Sequence, residues 1–466
     1  MKLEPVIGLE IHVQLATRTK MFCGCELSFG EEPNTRTCPV CLGMPGSLPV
    51  TNAKAIHFGL MMGLALGSEI APRSIFHRKN YFYPDLAKGY QISQYDIPLC
   101  SGGRLGDVRL HRIHLEEDAA KLVHLGESGR IHGSDASIVD YNRGGTPLAE
   151  IVTEPDLHSA EQAREWLNLL RVTLRQLGVS DVNMEEGSLR CDANVSVRPA
   201  GSATLGTKTE LKNMNSFRFL ERGINAEIER QTALIESGEP VVQETLHFDP
   251  VSGRLSPLRS KEEAHDYRYF PEPDLVPVAP TEEMLAAARD ALPELPAARA
   301  ERYERTLPTD TARLFAFDPE WGDYFEAAVA ESSAEPRAVA NWVTELRGRA
   351  DSAATVEPAA LARLVELVEA RTVTAGNGRV VLDRMVAGGG DPAAIVARED
   401  LGALGDDSGL ADIVARVIDD NPDVVERIRG GNAKAMGALM GPIMRETKGK
   451  ADGGEVNRLI REKLGV

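Results

Sequence analysis

The chain contains no apolar run approaching the ~20 residues that a membrane-spanning helix requires. Its opening, MKLEPVIGLE, lacks the basic-then-apolar pattern of a secretory signal. The expected location is therefore the cytoplasm, with no membrane partner. Positive charge is also short: 52 Lys and Arg stand against 70 Asp and Glu, a net −18. That balance argues against a general nucleic-acid binder, although local basic patches remain open. No G-x4-G-K-[ST] string is present, so a P-loop is excluded. A kinase glycine-rich loop and a G-x-S-x-G nucleophile elbow are missing as well. Neither a Ser-rich amidase signature nor a Cys–His glutaminase setting stands out, and there is no internal repeat or low-complexity run.

At 466 residues and 42% hydrophobic content, the chain should form two to four domains with sizeable cores. The fold class expected is α+β. Residues 1–290 read as a β-rich mixed-sheet cradle, 291–405 as an all-α domain and 406–466 as a small helical tail. VIGLEIHVQL, GRLGDVRLHRIHLEE and LRCDANVSVR are strand candidates, whereas Ser159–Leu177 and Phe217–Gly238 read as amphipathic helices. The four prolines of Tyr269–Pro280 predict irregular backbone and the exit from the first domain. Beyond it the composition turns helical, as in Leu361–Ala370, with a break at Ala387–Asp391.

Four of the six cysteines are clustered as Cys23-x-Cys25 and Cys38-x2-Cys41, a spacing that supplies two pairs of corners of a tetrahedron. Gly24 and Gly43 free the backbone for the tight turns. A structural zinc site at 23–41 is expected, since four protein ligands leave no open coordination position. Free core cysteines or a redox pair are the alternatives, and disulfides are disfavoured in a cytosolic chain.

The stretch Met184–Val197 carries the densest polar pattern. Leu189, Cys191, Ala193, Val195 and Val197 share one parity, while Arg190, Asp192, Asn194, Ser196 and Arg198 share the other. In TKTELKNMNSF, Lys208, Glu210 and Lys212 also share a parity. Paired as a hairpin, these runs form either a magnesium–phosphate face, with carboxylates for the metal and Lys and Arg for phosphate, or a solvated polar surface. In VIGLEIHVQL, Glu10, His12 and Gln14 lie opposite the apolar residues, and the carboxylate and imidazole can both reach one cation. Further acidic candidates are Glu150 and one of Glu116, Glu117 and Asp118. From Arg427 to Lys463 there are nine basic and four acidic residues, which fits a solvated helical tail or an RNA contact equally.

The strings VIGLEIHVQL, RKNYFYPDLAKGYQISQYD, HLEEDAAK, NRGGTPLAEIVTEPD, MEEGSLRCDANVSVR, KTELKNMNSF and DYRYFPEPDL occur in this order. Together they resemble the B subunit family of the tRNA-dependent aspartyl/glutamyl amidotransferase, over essentially the whole chain. GPIMRETKGKA resembles that family's tRNA-binding tail. The resemblance implies a carbon–nitrogen ligase with glutamine as nitrogen donor, acting on Glu-tRNA(Gln) or Asp-tRNA(Asn) with ATP, Mg2+ and structural Zn2+. Its implied partners are an amidase (the A subunit), a small third chain (the C subunit) that completes a heterotrimer, and the misacylated tRNA. The family pattern places magnesium at His12, Glu117 and Glu150, with Glu10 beside them as part of the catalytic set. Arg190, Asp192, Asn194, Lys208, Glu210 and Lys212 are then assigned to the nucleotide and acyl-phosphate region. Lys79, Asp85, Lys88 and Tyr90 would line the ammonia path, stabilise the interface with the amidase or simply support a loop. The family's QET…DP…MR string reads Leu258-Arg259 at its end here, and only part of the family carries the cysteine quartet. The competing functions are a zinc-stabilised tRNA-binding scaffold without chemistry and a ligase that uses free ammonia on a small amino acid.

Overall fold

In the computed structural model the described residues are 2–27, 30–125, 136–212, 214–259, 267–404, 409–430, 432 and 435–465. They form two compact units, Met1–Ala297 and Ala298–Val466. The α+β expectation holds: unit 1 is built on a mixed sheet and unit 2 is helical.

Unit 1 is organised by alternation. β1 (Leu3–Gln14) buries Ile7, Leu9, Ile11 and Val13 and turns Glu10, His12 and Gln14 to the other face. After α1 (Ala53–Ala65), β2 (Phe76–Asn80) and β3 (Tyr90–Gln94), the chain returns to the main sheet with β4 (Val108–Glu117) and β5 (Pro147–Thr153). Helix α2 (Ala160–Gln176) precedes β6 (Leu189–Pro199) and β7 (Thr209–Lys212), and α3 (Phe217–Ser237) precedes β8 (Thr245–Asp249), β9 (Arg254–Arg259) and β10 (Phe270–Pro271). The long strands are ordered β9-β8-β7-β6-β1-β5-β4, all antiparallel except β7 with β8.

The helices start where the sequence provides caps. Ser159 accepts from the Gln162 amide and Ser216 from that of Phe219. Trp166 is buried by α2 and its indole N–H donates to the Leu105 carbonyl at 2.9 Å, so its polar edge is satisfied. α3 carries a polar pair into the core. Gln231 Nε2 donates to the Val195 carbonyl at 3.0 Å, and Glu227 accepts from Arg230 at 2.7 Å.

The proline-rich segment departs from expectation. Phe270–Pro271 is a short strand that pairs with Arg78 and His77 of β2, and Ser74 bridges Val278. Proline is tolerated because β10 is the edge of the small sheet β10-β2-β3, where an N–H is dispensable. The segment thus packs onto unit 1 instead of leaving it, and Ala288 of the following helix Glu282–Asp290 lies in the same core.

In unit 2, Pro319, Pro336, Pro358, Pro392 and Pro422 each open a helix. A missing N–H is harmless there and the ring presets φ. Two hydrophobic clusters result, one around Phe315, Trp342 and Leu382 and one around Val414, Leu439 and Ile460. The second gathers Leu410–Asp419, Pro422–Arg429, Met436–Glu446 and Gly453–Leu464. The Lys-Gly-Lys loop joins the clusters: Thr374 Oγ1 donates to the Gly449 carbonyl at 2.7 Å. Gly449 has φ +72°, and a Cβ there would meet Asn377 Oδ1 at 2.6 Å, so only glycine fits.

Candidate active site

The polar face of the main sheet brings the candidate residues into rows. Across β4, β5, β1 and β6, His114 is opposite Glu150, Glu150 opposite His12, and His12 opposite Arg190. One step along, Glu10 faces Asp192, and beyond it Asn194 faces Glu210.

At the centre, His12 Nε2 is 3.4 Å from Glu150 Oε2 and 3.7 Å from Glu116 Oε1. One ligand atom each from His12, Glu116 and Glu150 lies within 4.8 Å of the others, a group able to hold a metal ion. Glu116 is buried and accepts from Ser93 Oγ at 3.0 Å. Burial alone would make the His12 imidazole less basic. The hydrogen bond and charge of Glu150, helped by Glu116, outweigh it and raise the pKa to about 9. Burial likewise opposes ionisation of Glu150 and Glu116, yet His114 and His12 hold both below the usual carboxylate range. Two anions thus share one site, and a proton on His12 and a divalent cation compete for the same charge.

Glu117 lies outside this group. Its side chain projects from the opposite face of β4, pairs with Lys88 and accepts from the Ile92 amide at 2.9 Å. That pair lines a cavity with Lys20, Phe22, Cys41 and Tyr90. Asp118 is buried and accepts from Arg190 at 2.9 Å and Gln14 at 2.8 Å; Arg190 and Arg143 overcome burial and lower its pKa. Asp118 therefore fixes Arg190 on the polar face. Glu10 is also outside the three-residue group and accepts from Asn194 Nδ2 at 2.8 Å. Lys212 bridges Asp192 at 2.8 Å and Glu210 at 3.4 Å; burial opposes its charge, but the acids hold its pKa above the ordinary lysine value. Lys208 is exposed and precedes β7.

Lys79 lies 4.8 Å from the centre of the Tyr267 ring, and its charge also favours ionised Glu150. Tyr90 carries Arg78 over its ring at 4.3 Å. Burial raises the pKa of Asp85, whose carbonyl receives the Ala120 amide. Tyr95 and Tyr269 stack at 4.2 Å, and burial raises the Tyr269 pKa, with Glu116 and Glu150 adding to the rise. Sequence reasoning missed this tyrosine pair and His114.

The four cysteine sulfurs also lie within 4.8 Å of one another. Hydrogen bonding to Cys23, then to the Cys38 backbone, together with the charge of Lys20, lowers the Cys41 thiol to about 4. Burial raises Cys25 to about 11. The donor set fits zinc: four soft sulfurs gathered within 4.8 Å of one another, with a buried lysine beside them. Lys20, fully buried, donates to Cys41 Sγ at 3.7 Å and to the Tyr141 carbonyl at 3.0 Å. Its charge offsets part of the two net negative charges that four thiolates leave on a dication. Gly43 has φ +66°, and a Cβ there would press on Lys88 Cγ at 2.5 Å.

A mixed sheet presenting a carboxylate–imidazole face beside a four-sulfur knot, in a chain that continues as helices, is the architecture to be matched. Residues 5–286 match the model of the GatB/GatE catalytic domain, and residues 323–464 match that of the GatB domain. The chain belongs to the GatB family. It is 50% identical over 481 aligned residues to the B subunit of the aspartyl/glutamyl-tRNA(Asn/Gln) amidotransferase from Anaeromyxobacter sp. (strain K), covering 99% of this chain and 98% of that protein. The proteins of the same name from Persephonella marina and Frankia casuarinae are 46% and 48% identical, covering 100% and 99% of this chain and 100% and 96% of theirs. No helix among the described residues is long and apolar enough to cross a membrane.

The cluster predicts a pH signature in the metal-free chain. The His12 pKa is raised from 6.5 to about 9, so its contribution to stability is present below pH 6.5 and fades as pH climbs to about 9. Glu116 and Glu150 are lowered from 4.5, so theirs is present above pH 4.5 and lost as pH falls through their folded-state values. Urea midpoints across this range should decline on both flanks, and Glu150→Gln should flatten both slopes. Parallel profiles for the two chains would contradict the pairing.

Proposed function

We propose that this chain is the ATP-dependent amidating component of a tRNA-dependent amidotransferase, acting in the cytoplasm on Glu-tRNA(Gln), Asp-tRNA(Asn) or both. The observation that carries the reading is the His12, Glu116 and Glu150 group within 4.8 Å on a sheet face that also holds Arg190 and Lys212. A side-chain carboxylate resists ammonia because it is anionic and has no leaving group. Its oxygen takes the terminal phosphoryl group of ATP, ADP departs, ammonia adds to the acyl phosphate carbonyl and phosphate leaves.

Such transfer needs positioning and charge neutralisation more than covalent help. A magnesium ion would be held by His12, Glu116 and Glu150 and would supply neutralising charge to the phosphates. Arg190, fixed by Asp118, and Lys212, held by Asp192 and Glu210, bind phosphate oxygens. Glu10 and Asn194 hold the row between them. Lys208 is a solvent-facing phosphate contact. The buried Lys88–Glu117 pair, with Tyr90 on the same cavity, lines the entry of ammonia, and Lys79 and Asp85 belong to that path or to the interface with the amidase. That ammonia is delivered by a partner amidase, the A subunit, in a heterotrimer with a small C subunit.

The test is co-purification with the A and C subunits followed by assay on both misacylated tRNAs. Amide formation should require ATP and Mg2+, and ammonium salt should replace glutamine. A complete complex that is inactive on both tRNAs overturns the reading.

The region after residue 408 is read as a tRNA-binding tail. No ion pair within 4.0 Å is found for Arg427, Arg429, Lys448 or Lys463 among the described residues, and Lys434 lies outside them. Removing the region should weaken tRNA binding about 10-fold or more and make its salt dependence shallower. Unchanged affinity in a filter-binding titration would count against the assignment.

A further inference from the structure

His114 is one of two imidazoles facing the carboxylate pair. Its Nε2 is 3.4 Å from Glu150 Oε2 and 3.7 Å from Glu116 Oε2. His12 makes the same two separations, with Glu116 Oε1 in place of Oε2. The two rings nevertheless occupy different positions. The His12 side chain is 22% exposed and joins the metal-capable group; that of His114 is 3% exposed and does not. His114 Nδ1 is buried without a hydrogen-bond partner. A proton on Nε2 aims the ring's one N–H between the carboxylates and leaves only a lone pair, not a stranded donor, at Nδ1. Each carboxylate offers about four lone-pair directions, so His114 engages both groups without consuming the sites a cation uses.

We propose that His114 is a positioning residue that holds Glu116 and Glu150 in cation-binding pose from a buried position on the same polar face of the sheet. The inference rests on the cation site of the proposed function. It extends that reading by dividing the two imidazoles into one that meets the cation and one that orients its acidic ligands. The Glu150 contact is at the long edge of a hydrogen bond and the Glu116 contact just beyond it, so the ring acts through the direction of its N–H dipole.

The side chains of Gln and Asn separate this role from simple packing. Glutamine can place an amide N–H near the position of Nε2, whereas asparagine reaches only to that of Nδ1. The full chain is loaded with zinc and titrated with Mn2+, followed by the electron paramagnetic resonance of free Mn2+. His114→Asn should weaken binding about 10- to 100-fold, and His114→Gln should stay within about threefold of the unsubstituted chain. In the assembled enzyme, His114→Asn should raise the Mg2+ concentration needed for half-maximal rate by a similar factor, with kcat recovered at saturating Mg2+. Folded His114→Asn that binds Mn2+ normally, or equal losses in both variants, would overturn the assignment. Glu150→Gln separates the two levels of failure. Loss of Mn2+ binding in Glu150→Gln with none in His114→Asn removes His114 alone, whereas no saturable binding in the unsubstituted chain removes the cation site and His114's role with it.

Discussion

Glu150→Gln is expected to lower ATP-dependent amide formation by about 10²–10³-fold while leaving tRNA affinity within about twofold. The substitution preserves size and removes one charge at the point where two imidazoles and a guanidinium converge. Glu150 Oε2 faces both His12 and His114 at 3.4 Å, and Oε1 lies 3.8 Å from Arg112. With the amide oxygen toward the imidazoles, the amide nitrogen turns its protons toward the Arg112 guanidinium. With the amide reversed, it presents donors to both rings. Either orientation loses the anion that a cation needs and lets the His12 pKa fall back toward its ordinary value. The tail contacts assigned to tRNA lie in unit 2, so affinity for the charged tRNA should persist. Single-turnover assays with saturating tRNA separate the two quantities. Amide formation within about threefold of normal would remove the central group from the chemistry.

Much of this face was legible in the sequence because alternation is a strong signal. Leu189–Val197 and Ile7–Val13 bury the residues their parity assigns, and the pairing of β6 with β7 is the hairpin the pattern implied. The choice among Glu116, Glu117 and Asp118 was not legible, for an identifiable reason. Val108 and Leu110 are buried in β4 and would carry even-numbered residues inward all along the strand. Opposite Val152 and Thr153, however, the register passes from Arg112 directly to Leu110. This irregularity flips the parity, so Ile113 and Leu115 become core while Arg112, His114 and Glu116 turn to the polar face. A reader counting from Leu110 reaches Glu117; counting back from Leu115 reaches Glu116. The switch of buried residues from 108 and 110 to 113 and 115 was the available signal. The role of Lys20 had none, because its partners Cys41 and Tyr141 lie 21 and 121 residues away.

Lys20 makes the cysteine quartet open to a sharper test than zinc content alone. One equivalent of zinc is expected in purified protein, and less than about half, without chelator treatment, would overturn the structural-site reading. Structural zinc supplies about 10–16 kcal/mol of apparent binding energy in small zinc modules, so its removal should be felt well beyond the loop. The route for that effect is visible. Asn52 Nδ2 donates to the Thr19 and Lys20 carbonyls, and the Asn52 side chain caps α1 through Lys54 and Ala55. Met21 donates to the Gly145 carbonyl. Cys41→Ser should therefore lose zinc and lower the thermal midpoint of unit 1, because it also strands the buried Lys20 charge, a defect that typically costs about 3–5 kcal/mol. Lys20→Met alone should weaken zinc about 10- to 100-fold by removing the offset to the thiolates. The double variant carries neither the thiolate nor the stranded cation, so its destabilisation should fall short of the sum of the single effects by about 1–3 kcal/mol. Calorimetry and elemental analysis on the four chains close the cycle; strictly additive losses would mean that Lys20 and Cys41 act independently and that the lysine has no part in holding the metal.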